Sequence, residues 1–250
     1  MPAEILRKDD LRSLVDNRTK LVCCSGASNF LGTKNPIRKI RKIANSSGYT
    51  QPSGEVKSYL LIDAAQSVPN FYIDVCELDV DFLAWSFHKM LSPYGIGALY
   101  AKESLLEEMK PFLYGGDMIA DGQVSPEKVQ YNLLPWKFTA GTPNILGTIL
   151  SAQSIRLLLD FALNPGKSVY FKSDKSLHQA DIRQAMSRVE EHEKELISAA
   201  LDQVSGIPGI TIYGPKTPDK RTALLAFNLE NVSPMLVADQ LNVTGVESRA

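Results

Sequence analysis

The most informative segment of the chain spans residues 81–97 and reads Asp81-Phe-Leu-Ala-Trp85-Ser-Phe-His-Lys89-Met-Leu-Ser-Pro-Tyr-Gly-Ile-Gly97. Its apolar run, Phe82 to Trp85, stops at a serine, a histidine and a lysine, and a proline and two glycines follow. Because this composition cannot continue as a helix, the pattern predicts a buried strand that ends in a turn. Lys89 is then expected at the edge of a hydrophobic layer, where burial favours the neutral, nucleophilic amine.

Two polar neighbours of Lys89 suggest what the amine is for. Ser86 offers a hydroxyl and His88 an imidazole, and both can donate hydrogen bonds to an anion. An amine beside anion donors suits a cofactor that carries both an aldehyde and a phosphate. Pyridoxal 5'-phosphate, held as a Schiff base to a lysine, is such a cofactor. For this motif alone, a strand that ends in a solvated lysine is the alternative interpretation.

A second apolar run, residues 59–63, ends in Asp63. The pyridine nitrogen of the cofactor must stay protonated, and a carboxylate at the end of a neighbouring strand achieves this. Ligands of open α/β sheets lie outside the carboxyl ends of the strands, so Asp63 and Lys89 are expected close together. A helix N-cap after a strand is the other role open to Asp63, and it is compatible with the first.

Three motifs in order along the chain resemble the class V aminotransferases: Asp63-Ala-Ala-Gln66, Ser86-Phe-His88-Lys89 and Trp136-Lys-Phe-Thr-Ala-Gly141-Thr142-Pro143-Asn144. Within that family the chain looks most like the cysteine desulfurase and selenocysteine lyase branch. Ser28-Asn29-Phe-Leu-Gly32, Gly115-Gly116-Asp-Met118 and Ile212-Tyr213-Gly214-Pro215 fit the same family. The resemblance runs from about residue 10 to the last residue, and it is weakest over 164–181.

The resemblance implies a role for each matching residue. Lys89 would form the Schiff base and move protons on the substrate, and Asp63 would hold the protonated ring nitrogen. The resemblance also implies that Gln66 contacts the phenolic oxygen, and that Ser86, His88 and a partner subunit's Thr142 bind the phosphate. Asn29 would lie near the cofactor and the substrate carboxylate, and Arg249 would bind that carboxylate.

The implied reaction converts L-cysteine to L-alanine and passes the sulfur to an enzyme cysteine. The resemblance further implies a cysteine or selenocysteine substrate, a homodimer, a sulfur-acceptor protein and a place in iron–sulfur cluster assembly. None of Cys23, Cys24 and Cys76 follows Arg249, where the branch carries its nucleophile. We therefore expect that the sequence lacks both ends of such an enzyme and does not convert cysteine by itself. The alternatives are a kynureninase-like or epimerase-like enzyme of the same family, and a non-catalytic fragment.

The fold class expected is α/β, with a largely parallel sheet and helices on both of its faces. The resemblance implies the fold of pyridoxal-phosphate-dependent transferases of the aspartate aminotransferase type. Strands are predicted at 20–24, 59–63, 82–86 and 98–100, and a helix at 37–44. A helix at 104–109 and an irregular loop at 110–135 should follow, and Thr142 is a candidate N-cap of the next helix, 145–162.

Asn164-Pro165-Gly166 marks the predicted domain boundary. Residues 1–163 would form part of a large cofactor-binding domain, and 164–250 part of a small α+β domain. The polar stretch 167–180 looks inserted. In the small domain we predict helices at 181–204 and 234–241 and strands at 210–213 and 223–228.

The composition is that of an ordinary globular protein, with 250 residues, 44% hydrophobic and 22% charged. A formal net charge of −1 argues against a nucleic-acid surface or a polybasic membrane anchor. No apolar stretch is expected to approach the ~18 residues of a membrane span. Three cysteines make no disulfide framework, so a cytoplasmic location is expected. Cys23 and Cys24 are predicted in the core, the basic side chains of helix 37–44 in solvent, and no metal site is predicted.

Overall fold

The structure is a computed structural model that describes residues 8–93, 95–166 and 177–250. Most of the stretch predicted as an insertion, 167–180, lies outside the described residues. The helices are α1 (Lys8–Leu14), α2 (Ile37–Ser46), α3 (Val75–Leu78), α4 (Glu103–Glu108), α5 (Ile145–Leu163), α6 (Gln179–Val204) and α7 (Pro234–Val243). The strands are β1 (Leu21–Ser25), β2 (Tyr59–Asp63), β3 (Phe82–Ser86), β4 (Gly97–Ala101), β5 (Ile119–Val124), β6 (Val129–Tyr131), β7 (Ile210–Tyr213) and β8 (Ala226–Leu229).

The main sheet has four strands in the order β1-β2-β3-β4. Two of the predicted site residues end strands of this sheet, Asp63 in β2 and Ser86 in β3. β1, β2 and β3 are parallel, and β4 returns antiparallel to β3. The predicted bounds of β2 and β3 are confirmed, because each apolar run is limited by polar and turn-forming residues. The α/β class and the mostly parallel sheet are also confirmed.

The main core of the described residues lies on one face of this sheet. Leu60, Ile62 and Leu83 point to that face, where they pack against Ile40 and Ile43 of α2. Side chains alternate between the two faces of a strand, so the neighbouring residues point to the opposite face. On that opposite face Leu21, Leu99 and Cys23 are exposed. The prediction that Cys23 lies in the core is therefore wrong, whereas Cys24 packs partly against the core.

One of the basic residues predicted in solvent, Arg41, is buried on the inner face of α2. Its Nη1 lies 2.5 Å from Oδ2 of Asp81, which is buried as well. The same Asp81 oxygen accepts a hydrogen bond from the Leu60 amide at 2.8 Å, and Lys102 reaches the other oxygen at 2.9 Å. Arg41 lies next to Ile40 on the face of α2 that packs against the sheet. Its guanidinium is therefore buried together with the Asp81 carboxylate that neutralises its charge.

The connections differ from the sequence prediction in three places. Residues 110–135 contain the β5–β6 hairpin, whereas an irregular loop was predicted. Helix α4 begins one residue early and has no side-chain cap. The N-cap of α5 is Asn144, whose Oδ1 accepts a hydrogen bond from the Gly147 amide at 2.9 Å, so the alternative role of Thr142 as this cap is wrong.

The C-terminal part consists of α6, the antiparallel β7–β8 hairpin and α7. β8 begins three residues later than predicted. Helix α6 packs along α5 and forms ion pairs with the turn after β1 and with α3, Lys34–Glu190 at 2.7 Å and Arg183–Glu77 at 2.7 Å. A division into domains at residue 163/164 stays a prediction.

Helix α5 contradicts the expectation that no apolar stretch approaches the length of a membrane span. It has 19 residues and is long and apolar enough to cross a membrane, judged by length and composition alone. The expectation that no stretch approaches this length is therefore wrong. A single helix of this kind is weak evidence for a span, because core helices pass the same test. Here α5 packs along α6 and contributes the buried Leu159.

Candidate active site

The carboxyl ends of β2 and β3 bring the predicted site residues to one edge of the sheet. Asp63 is in register with Ser25 of β1 on one side and Ala84 of β3 on the other. Ser86 lies two residues beyond Ala84, so its Cα is about 7 Å further along a strand that is itself about 5 Å away. The expected proximity of Asp63 to the end of β3 is thus present in the backbone register.

Lys89 lies on a single turn of 3₁₀ helix, Phe87–Met90, which follows β3 directly. Met90 is buried beneath this turn, whereas His88 and Lys89 are exposed. Leu91 ends the turn in the left-handed region, at φ 63°. The predicted burial of Lys89 is therefore wrong for the described residues, because only Met90 points inward and the polar pair points out.

Asp63 is placed by backbone contacts that leave half of its carboxylate available. Its carbonyl accepts a hydrogen bond from the Gly26 amide at 2.8 Å, and Oδ1 accepts one from the Ala65 amide at 3.0 Å. Oδ2 has no partner among the described residues. Gln66 lies on the turn that follows Asp63. The next residue, Ser67, packs closely against Gly26, and a side chain on residue 26 would collide with the Ser67 hydroxyl.

Other polar side chains of this group are not used by the fold. Among the residues that the structure describes, the side chains of Gln66, Ser86 and Lys89 make no hydrogen bond or ion pair. Ser86 precedes the 3₁₀ turn but does not cap it. This differs from the interior, where Arg41 and Asp81 satisfy each other. Polar groups with no structural partner at a strand end are available to a ligand.

Asp63, Gln66, Ser86, His88 and Lys89 form a first group at this edge of the sheet, and Asn29 and Arg249 form a second group. Both line an open cavity of about 980 Å³ between the turn after β1 and the C-terminal part, together with Tyr213 and Leu225. The turn after β1 is bonded to the first group, because the Gly26 amide donates to the Asp63 carbonyl. Sequence reasoning therefore selected two residues that the fold brings together from opposite ends of the chain.

Thr142 is exposed and lies outside both groups. It follows Gly141, which has a φ of +100° and open space around it. Two residues further on, Asn144 donates a hydrogen bond to the Gly95 carbonyl at 3.4 Å, in the connection that follows Lys89. No described contact brings Thr142 to Asp63 or Lys89 of its own chain.

Sequence reasoning gave no role to Asn35, which shapes the turn after β1. Its Nδ2 donates to the Ser25 carbonyl at 2.8 Å, and its amide donates to the Gly26 carbonyl at 2.9 Å. These bonds hold the strand end beside Asp63. The Asn-Pro pair at 35–36 is a turn signal that could have indicated this role.

The first group fits pyridoxal phosphate by its donors and acceptors. An exposed lysine amine can bond to the aldehyde, and the available Asp63 oxygen can accept a hydrogen bond from a ring N–H. The unpartnered Ser86 hydroxyl and the His88 imidazole supply anion donors beside the amine. The first group therefore contains the chemical types that this cofactor requires, at one edge of the sheet.

The family model described as aminotransferase class V matches residues 2–168 and 174–250 of the chain. A probable cysteine desulfurase from Halalkalibacterium halodurans is 38% identical over 245 residues, which cover 98% of this chain and 51% of that protein. A cysteine desulfurase from Haloferax volcanii is also 38% identical over 245 residues, covering 98% of this chain and 49% of that protein. The chain thus spans about half the length of the curated relatives it matches.

Two solved structures give the same result. The cysteine desulfurase CsdA from Escherichia coli is similar with a TM-score of 0.73 at 29% identity, over 97% of this chain and 51% of that one. The apo cysteine desulfurase from Thermococcus onnurineus gives a TM-score of 0.74 at 28% identity, over 98% of this chain and 52% of that one. These similarities confirm the fold predicted from the sequence.

Proposed function

This chain belongs to the class V aminotransferase family, and from that membership we propose that the protein is a pyridoxal-phosphate-dependent enzyme of the cysteine desulfurase type. The proposed reaction converts L-cysteine to L-alanine and passes the sulfur to a thiol. One observation carries the proposal. Asp63 ends one of two adjacent parallel strands and Lys89 follows the other, and in the described part of the chain neither the Lys89 amine nor the second Asp63 oxygen has a partner.

The roles of the first group follow from their chemistry. When bound, pyridoxal phosphate supplies an aldehyde that bonds to amines and a ring that takes up an electron pair. Lys89 Nζ is the amine that would bond to it and would then move a proton at the substrate α-carbon. Asp63 Oδ2 would keep the proton on the ring nitrogen. Ser86 and His88 would donate to the phosphate, and the Gln66 amide would donate to the phenolic oxygen.

Asn29 and Arg249 are proposed to bind the α-carboxylate of the amino acid. Arg249 has no acidic partner among the described residues, so its guanidinium is available to a carboxylate in the cavity that Asn29 also lines. Arginine suits this task because its planar fork matches the two carboxylate oxygens. A small zwitterion such as cysteine has the carboxylate that this pair would bind and the amine that would meet the cofactor.

The sulfur acceptor is proposed to be a thiol other than Cys24. Burial, with a smaller contribution from Cys23, raises the pKa of the Cys24 thiol to about 11, so little thiolate is present near neutral pH. Cys23 points to the sheet face opposite the core, and Cys76 lies in α3. Neither lines the cavity that Asn29 and Arg249 share, so neither is placed to take up sulfur beside the proposed carboxylate site.

A homodimer is proposed because a large apolar surface surrounds Thr142. We define the interface surface as the exposed residues Phe112, Leu113, Tyr114, Trp136, Ile145, Leu146 and Ile149. The Gly115 backbone approaches Ala140 closely, which brings the 112–114 segment beside the start of α5. A second copy covering this surface would bury Thr142 near the site of its partner, where the hydroxyl would donate to the phosphate.

The test measures alanine formed from L-cysteine by the complete protein. Asp63→Asn keeps the size of the side chain and removes its charge, so turnover should fall by ~100-fold or more, as for the loss of a preorganised charge partner. Asp202→Asn is the matched control, because Asp202 is exposed on α6, away from both groups. Wild-type turnover in Asp63→Asn, or no alanine from the unmodified protein, would exclude the proposed function.

A further inference from the structure

Arg221 carries a positive charge in the interior of the protein. It is 1% exposed and has the largest fully buried side chain, yet it makes no ion pair among the described residues. Its Nε has no hydrogen-bond partner there either, and burial lowers its pKa. A guanidinium held in this way has a desolvation cost that no carboxylate offsets. Such a residue is expected to have a specific task, because an apolar side chain would fill the same space at lower cost.

The guanidinium of Arg221 instead joins the two ends of one loop. We define the 214–225 loop as the connection that leads from β7 to β8. Nη1 donates to the Pro215 carbonyl at 2.7 Å, and Nη2 donates to the Leu224 carbonyl. Two carbonyls from opposite ends of the loop therefore meet at one rigid, planar group. Between these two carbonyls the loop forms a turn of 3₁₀ helix, Pro218–Lys220, so the guanidinium ties together the two segments on either side of that turn.

The 214–225 loop is also hydrogen-bonded to the turn that carries Asn29, residues 28–33, and to Lys34, which follows that turn. The Thr222 amide donates to the Gly32 carbonyl at 2.9 Å, and the Lys34 amide donates to the Lys220 carbonyl at 2.9 Å. Gly214 touches this turn directly, since a Cβ there, at φ +81°, would lie 2.6 Å from the Leu31 carbonyl oxygen. The two segments thus pack backbone against backbone, with no space for a side chain between them.

Residues on both sides of this contact line the cavity. Asn29 lines one wall, and Leu224 and Leu225 line another. We propose that Arg221 is a positioning residue, which shapes the 214–225 loop so that it holds Asn29 in place for the substrate carboxylate. The substrate part of this statement rests on the proposed function. The clamp itself depends only on the bonds of Arg221, Thr222 and Lys34.

Amide hydrogen exchange tests the clamp without any substrate. Arg221→Lys keeps a positive charge but cannot span both carbonyls, so the Thr222 and Lys34 amides should exchange about tenfold faster or more. The matched control is Arg41→Lys, which alters another buried arginine that contacts neither segment. Unchanged exchange at these amides, or an equal increase in the Arg41→Lys protein, would overturn the proposal.

A second variant reaches the same contact without altering Arg221, and it settles the matter if Arg221→Lys fails to fold. Gly214→Ala inserts a methyl group against the Leu31 carbonyl, whereas Gly166→Ala has a similar φ of +78° and open space around it. Gly214→Ala alone should accelerate exchange at Thr222 and Lys34. No difference between the two variants would overturn the clamp.

Kinetics with the complete protein test the substrate part. Arg221→Lys and Gly214→Ala should raise the KM for L-cysteine about tenfold, with a smaller effect on kcat, because the loss falls on carboxylate binding. An unchanged KM in variants with faster exchange would refute the positioning of Asn29. If the unmodified protein forms no alanine, the proposed function fails, and the exchange results still decide the clamp.

Discussion

Among single residues, the three cysteines differ in how far their side chains are exposed to solvent. Cys24 is half-buried on the core face of β1, and Cys23 and Cys76 are exposed. Burial first, and the neighbouring Cys23 second, raise the pKa of Cys24 to about 11. Because the thiolate is the reactive form, Cys24 should be the least reactive of the three at neutral pH.

Alkylation by iodoacetamide should show this difference in its pH dependence. Below its pKa the thiolate fraction of Cys24 rises tenfold per pH unit, so its rate should increase ~100-fold between pH 8 and pH 10. Mass spectrometry of peptides labelled for short times measures each cysteine in the same sample, and Cys23 is the matched neighbour. A Cys24 rate that levels off by pH 9, or that exceeds the Cys23 rate at pH 8, would contradict the burial described.

The residues of the site differ in how far the sequence could predict them. The positions of Asp63, Ser86 and Lys89 at strand ends could be predicted because a strand end is a local pattern, an apolar run followed by polar and turn-forming residues. The burial of Arg41 and Arg221 could not be found, because each depends on partners distant in the chain, Asp81 and the Pro215 carbonyl. The exposure of Lys89 was missed because the sequence does not show which residue of a 3₁₀ turn points inward.

At the scale of elements, the turn before α5 depends on a close backbone contact. A Cβ on Gly115 would collide with the Ala140 carbonyl group and would lie 2.9 Å from the Gly141 nitrogen. Neither position can move without shifting the 139–142 segment that carries Thr142. Gly116, the next residue, has open space around its Cβ position.

This pair of glycines provides its own control. Gly115→Ala should lower the free energy of unfolding by about 1–3 kcal/mol, as overpacking does. Gly116→Ala should change it by less than about 0.5 kcal/mol, or increase it slightly through the unfolded chain. Urea denaturation followed by circular dichroism measures both values. Equal effects of the two substitutions would show that residues 115 and 140 do not approach as described.

The elements also show where sequence patterns stop being informative. β2 and β3 were predicted to the residue, because Tyr59–Asp63 and Phe82–Ser86 are compact apolar runs with clear limits. The β5–β6 hairpin was missed because its segment, Ile119–Val124, contains Asp121 and Gly122 and lacks a continuous apolar run. The predicted start of β8 was too early because Ala223 to Leu225 are apolar. These residues belong instead to the loop whose ends Arg221 joins.

In the molecule as a whole, the interface surface collects seven exposed large hydrophobic side chains. Phe112 is 90% exposed, and Trp136 and Ile149 are more than half exposed. Contiguous apolar patches of this kind mark interaction sites. The proposed occupant is a second copy, because the surface lies on the segments next to Thr142, whose side chain makes no hydrogen bond within the described part of its own chain.

Sedimentation velocity should therefore detect a dimer that one charge disrupts. Ile149→Glu places a carboxylate within the interface surface and should weaken association at least ~100-fold, because a buried unpaired charge is costly. Phe161→Glu is the matched control, since Phe161 is similarly exposed on the same helix but lies 12 residues further along, outside that surface. Dimers that survive Ile149→Glu, or a monomeric unmodified protein, would refute this arrangement.

Lys89 is the amine that we propose binds pyridoxal phosphate. Borohydride reduction of the complete protein with its cofactor, followed by peptide mapping, locates the attachment directly and requires no turnover. We predict a pyridoxyl group on Lys89, at the end of the strand beside Asp63, and none after Lys89→Ala. Lys102 is the internal comparison, because Asp79 and Asp81 already hold its amine. A pyridoxyl group on another lysine, or labelling that persists in Lys89→Ala, would contradict the claim.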